Sequence, residues 1–138
     1  MSLGDTSTSA NVREALARET QSAARCLYFA RRADIEGRSD VAATLRAIAE
    51  GETSHAFGHL EFLEEAGDPL GGAGDTKGNL DSAVAEAEAN AEAYLAYAAA
   101  ARQDKQADIA DWFEAVAAAE QAHVAVLKKV RRGMDSAR

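Results

Sequence analysis

The chain has 138 residues and a mass of 14.5 kDa, enough for one domain that can bury a core without covalent staples. Its formal charge of −8 and pI near 4.8 leave no basic stripe to neutralise phosphates, which excludes nucleic acid and anionic membrane surfaces as partners. Cys26 is the single cysteine, so there is no intrachain disulfide and no thiolate cluster for zinc or iron–sulfur chemistry, and a reducing cytoplasm is the expected location.

Residues 1–10 are polar and lack the charged-then-apolar order of a secretory signal, so they are expected to form a flexible N-terminus. Nor does any apolar run approach the length of a membrane span. Residues 11–133 are expected to form the folded domain, and residues 134–138 a flexible C-terminus. Alanine runs, abundant Glu, Leu, Arg and Gln, and a lone proline favour helix throughout, so the fold is expected to be all-α. The first helix runs from about Asn11 to Glu36 and stops at Gly37. The second runs from about Asp40 to Ala66 and stops at Gly67, with Pro69 beyond it. GDPLGGAGDTKG, from Gly67 to Gly78, is the one evident loop. A third helix begins near Asn79 and a fourth near Ala107, separated by the polar stretch Arg102 to Gln106, with fraying expected from Arg131 onward.

The two halves repeat at an offset of 68 residues. Asp40, Val41, Ala42, Leu45, Ile48, Glu52 and His55 correspond to Asp108, Ile109, Ala110, Phe113, Val116, Glu120 and His123. In the second helix Val41, Leu45, Ile48, Glu52, His55, His59 and Phe62 recur at steps of four and three, the spacing of an inward seam. Ile109, Phe113, Val116, Glu120, His123, Leu127 and Val130 do the same in the fourth. The first helix has the seam Leu16, Glu19, Ala23, Cys26, Ala30 and Ala33; the third has Leu80, Val84, Ala87, Ala91, Tyr94, Ala98 and Ala101.

Glu-x-x-His thus occurs twice on core seams, as Glu52/His55 and Glu120/His123, and a single acid, Glu19 or Glu86, precedes each by about one helix. One Glu from each of two helices plus Glu-x-x-His from each of two others is the ligand set of a two-metal carboxylate site in a four-helix bundle. Glu19 lies 18 residues before Gly37 and His55 lies 18 after, so in a hairpin they stand at one height; Glu86 and His123 lie 19 before and 18 after Lys105. The spacing from the single Glu to the pair is 33 in the first half and 34 in the second. That extra residue predicts a π-bulge in the third helix between Glu86 and Tyr97. Carboxylate oxygens and imidazole nitrogens suit iron or manganese, and four carboxylates balance two divalent ions. His59 reads as a buried or supporting histidine, Tyr94 as a core tyrosine or a proton donor near metal, and Cys26 as a small buried hydrophobe. Trp112, beside the seam of the fourth helix, marks an expected interface.

Through ARETQSAARCLYFARRADIEG, AEGETSHAFGHLEFLEEAGDP, GNLDSAVAEAEANAEAY and ADIADWFEAVAAAEQAH the chain resembles the rubrerythrin family of the ferritin-like superfamily. The resemblance implies a ferritin-like four-helix bundle, built from two helix-hairpin repeats with a crossover loop between the second and third helices. It places di-iron ligands at Glu19, Glu52, His55, Glu86, Glu120 and His123. It also implies reduction of hydrogen peroxide with an external electron donor such as a rubredoxin, the four-cysteine rubredoxin domain of many relatives being absent from the sequence. Ferritin-like relatives oxidise iron(II) with oxygen, so a ferroxidase is the alternative activity, and a non-catalytic metal-binding bundle is a third reading. Two departures from the family pattern stand out: Ala89 occupies the place of an additional Glu three residues after the third-helix ligand, and Cys26 replaces a tyrosine whose counterpart is Tyr94. The loop of about 12 residues spans at most roughly 40 Å, barely enough for a crossover, so a homodimer with exchanged helix pairs is expected.

Overall fold

The computed structural model describes residues 3–136, and Met1, Ser2, Ala137 and Arg138 lie outside it. Four α-helices, and no strand among the described residues, make up two compact units that divide at Gly72–Ala73. Each unit is a helix hairpin. In the first, α1 (Ser7–Ile35) pairs with α2 (Ser39–Glu65), and a 3-10 turn, Pro69–Gly71, folds back on α2. In the second, α3 (Thr76–Gln103) pairs with α4 (Ala107–Ser136).

The hairpin turns repeat bond for bond. Gly37 N–H donates to Asp34 O at 3.0 Å and Arg38 N–H to Ala33 O at 2.8 Å; Lys105 N–H donates to Arg102 O at 3.0 Å and Gln106 N–H to Ala101 O at 2.8 Å. This is the Schellman closure, which requires a left-handed residue just after the helix. Gly37 takes φ 76° there at no steric cost, whereas Lys105 takes φ 60° with a side chain. The same closure ends α2, where Asp68 N–H reaches Leu63 O at 2.9 Å and Gly67 is left-handed.

Each hairpin is held by alanine. α1 buries Ala23, Ala30 and Ala33, and α2 buries Ala42, Ala49, Ala56 and Leu63 at steps of seven. α3 buries Ala87, Ala91, Ala98 and Ala101, and α4 buries Ala110 and Ala117. A methyl side chain lets two helices approach closely, and a step of seven keeps the stripe on one face. The expected seams of α1 and α3 contain these buried alanines. Those of α2 and α4 lie one residue off: Val41, Ile48, His55 and Phe62 are exposed, and so are Ile109, His123 and Val130. Small residues face the hairpin partner, and the larger apolar ones occupy the neighbouring stripe.

Three boundaries differ from expectation. α1 starts at Ser7, within the expected flexible segment, because Thr6 takes an extended N-cap backbone and nothing from Ser7 to Ala10 breaks a helix. α3 starts at Thr76 because Asp75 Oδ1 accepts a 2.7 Å bond from Gly78 N–H, which puts Gly78 in the first turn. α4 continues past Arg131 to Ser136: Arg131 donates to Asp81 at 2.7 Å and to Asp135 at 2.8 Å, and Lys77 pairs with Asp135 at 2.9 Å. Lys77 first and then Arg131 hold the Asp135 carboxyl below its ordinary range. The last turns of α4 are thereby tied to the start of α3.

The π-bulge expected between Glu86 and Tyr97 does not form; α3 is regular α-helix throughout. Both turns have the same length and bonding, so the strict offset of 68 persists and Ala87, not Glu86, occupies the place of Glu19. Glu86 is rotated from that place by one residue, about 100° around the helix.

Candidate metal centre

α1 and α2 bring Glu19, Glu52 and His55 to one level. His55 Nδ1 stands 3.4 Å from Glu19 Oε1, as their equal distances from Gly37 require. The Glu19 side chain is 26% exposed, and Glu52 buries Oε2 completely with no hydrogen-bond donor among the described residues. Around Glu19 and Glu52 runs a groove of about 350 Å³ that Arg18, Gln21, Ser22 and Arg25 also line. Helical periodicity did not single out these four. Arg18 and Arg25, seven residues apart on either side of Glu19, were the available signal.

In the second hairpin Glu86, Glu120 and His123 line one groove of about 330 Å³, with Ala83, Ala87, Asn90, Val126 and Leu127 as its other walls. His123 Nδ1 stands 3.7 Å from Glu120 Oε1, and the Glu120 side chain is 20% exposed. Glu86 is exposed, which follows from its rotated register. Among the described residues no three His, Cys, Asp or Glu side chains are drawn together at metal-binding separation, so the candidate ligands form no preformed cage. Tyr94 is half-buried in an aromatic cluster, its ring 5.6 Å from Tyr97 and 5.8 Å from Phe113. His59 and Cys26 are half-buried, and Trp112 is 65% exposed.

The donor chemistry fits a pair of hard cations. Each hairpin offers two carboxylates and one imidazole, with no thiolate that would favour zinc or copper(I). Glu52 Oε2 supplies the structural test: a buried polar oxygen left unpaired costs about 1–3 kcal/mol, and a cation removes that cost.

The rubrerythrin family model matches residues 10–131. The chain belongs to the rubrerythrin family. Its fold class is accordingly the all-α ferritin-like four-helix bundle, built in this chain from two helix-hairpin repeats. Rubrerythrins are di-iron proteins of the ferritin-like superfamily, which makes iron the metal that the family typically binds and oxidoreduction its general chemistry. No curated protein matches the chain. Among the described residues no helix is long and apolar enough to cross a membrane.

Proposed function

We propose that the protein is a non-haem di-iron oxidoreductase that reduces hydrogen peroxide, with Glu19, Glu52, His55, Glu86, Glu120 and His123 holding the irons. The observation that carries this reading is the buried Glu52 Oε2, which has no hydrogen-bond donor among the described residues and shares a groove with Glu19, itself 3.4 Å from His55 Nδ1. When bound, two irons would supply the pair of electrons that peroxide reduction consumes. The carboxylates would neutralise the metal charge, and His55 and His123, whose Nδ1 atoms stand 3.4 Å from Glu19 Oε1 and 3.7 Å from Glu120 Oε1, would each add one imidazole nitrogen to the ligand set. Arg18 and Arg25 on the groove wall would attract an anionic or hydrogen-bonding oxidant. Tyr94, held by Tyr97 and Phe113, would deliver a proton to the departing oxygen.

A homodimer with exchanged hairpins belongs to this reading. With Pro69–Gly71 folded on α2, the segment free to extend is residues 72–75, at most roughly 14 Å long. The 27 residues of α2 measure about 40 Å. Light scattering is expected to show twice the chain mass; a clean monomer would remove the exchange.

The deciding experiment is an anaerobic iron(II) titration followed by rapid mixing with peroxide or with oxygen. Two irons per chain, oxidised much faster by peroxide, is the expected result. Faster oxidation by oxygen would make the protein a ferroxidase, and sub-stoichiometric binding would overturn the metal centre.

A further inference from the structure

Resting on the reading above, which requires an outside reductant, we infer that the outward face of the C-terminal half of α1 is the docking surface for an acidic one-electron carrier protein. Arg25, Arg31 and Arg32 are all exposed there, beside Tyr28 at 66% and Ile35 at 67% exposure. None of the three arginines makes an ion pair among the described residues, although the chain carries an excess of acids. The nearby Asp34 is turned to Arg46.

Structural roles account for part of this patch. Arg32 in the last turn favours the negative end of the helix dipole, and Arg25 stacks over Phe29 at 5.4 Å. They leave Arg31, Tyr28 and Ile35 without a purpose. The repeat shows that the fold does not need them: Arg25, Tyr28, Arg31 and Arg32 correspond at the offset of 68 to Ala93, Ala96, Ala99 and Ala100, and Ile35 to Gln103. The same helix face in α3 therefore holds four alanines and a glutamine, while in α1 it holds three cations unpaired among the described residues and two exposed apolar side chains.

Arginine with tyrosine and an aliphatic centre is the composition of an interface core. On a protein of charge −8 a cationic spot is where an acidic partner lands against the general repulsion, and small electrostatically guided interfaces are typical of transient electron-transfer pairs. The patch begins at Arg25, six residues or about 9 Å along α1 from Glu19, and Arg25 also lines the groove that holds Glu19 and Glu52. A carrier bound at this patch stands next to the metal ligands. Two reduced carriers each give one electron, and one hydrogen peroxide with two protons becomes two waters.

The test uses the iron-loaded full chain and a purified rubredoxin as the acidic carrier. Reduction by rubredoxin is expected to slow with salt in the wild type, and to be at least 10-fold slower and nearly salt-independent in Arg31→Glu/Arg32→Glu. Reduction by dithionite and oxidation by peroxide should be unchanged in the variant, which shows that the folded site is intact. Equal rubredoxin rates in the two proteins would overturn the docking surface. So would binding to phosphatidylserine vesicles in place of rubredoxin, which would make the patch a membrane contact. If dithionite-reduced wild type is inert to peroxide, the peroxidase reading falls instead; loss of rubredoxin line broadening in NMR spectra on making the double variant would still uphold the surface.

Discussion

Lys105 and Glu52 show how single residues carry cost in this protein. Lys105 sits at φ 60° where its repeat partner is Gly37, so Lys105→Gly should stabilise the chain by about 1 kcal/mol through removal of left-handed strain. Denaturant unfolding would show a higher midpoint at unchanged slope; no shift would mean that a contact of the lysine side chain offsets the strain. Glu52 has the opposite character. Its buried Oε2 lacks a donor among the described residues, so Glu52→Leu should raise the stability of the metal-free protein by about 1–3 kcal/mol while lowering iron stoichiometry. Calorimetry of the apoprotein and an iron titration measure the two effects separately, and a destabilised apoprotein would mean that Oε2 finds a partner in solution and is not orphaned.

At the scale of elements, the end of α2 is closed by Asp68. Its Oδ1 accepts from Leu70 N–H at 2.9 Å, and its Oδ2 accepts from Arg13 Nε at 2.6 Å, which joins the 3-10 turn to α1. The Leu70 bond first, and then Arg13, hold the Asp68 carboxyl below its ordinary range. A carboxyl with a depressed folded pKa stabilises the protein above its unfolded value, about 3.9, and that contribution disappears as pH falls through the folded value. Wild type should therefore melt above Asp68→Asn at neutral pH, with the gap closing on acidification; a gap independent of pH would show that the charge is unimportant. The helices themselves were legible in the sequence, because alanine content, Gly37, Gly67 and the polar break before Ala107 are local signals. The pairing of Glu19 with His55 was legible too, since a constant rise per residue converts sequence distance into height. Two features were hidden. The hairpin interface of α2 lies on Ala42, Ala49 and Ala56, and hydrophobic periodicity, weighted toward large side chains, points instead to Val41 and Ile48 one residue away. The register of Glu86 was visible as a spacing of 34, but spacing does not say whether a helix absorbs an extra residue as a bulge or simply leaves a side chain rotated.

Among the described residues, buried alanines with a single fully buried large side chain, Leu63, make a thin core, and Phe57, Phe62, Tyr97 and Trp112 are each more than half exposed. On the proposed function, metal binding is expected to add to the stability of so thin a core. Saturating anaerobic iron(II) at 100 times its dissociation constant should add about 2.7 kcal/mol and raise the melting temperature, with a chelator reversing the gain; a melting temperature indifferent to iron would argue against the proposed centre. The alanine stripes have a consequence for that centre. Helices that meet methyl against methyl approach to near the short end of the usual range of about 8–10 Å, so the gap across which Glu19 faces His55 is gauged by backbone separation rather than by flexible side chains. Ala49 and Ala56, which flank Glu52 and His55, act as the shims of this gauge. A larger residue at either place would wedge the hairpin open at the level of Glu19 and His55 and change the metal that the proposed centre fits, while leaving every proposed ligand in the sequence untouched.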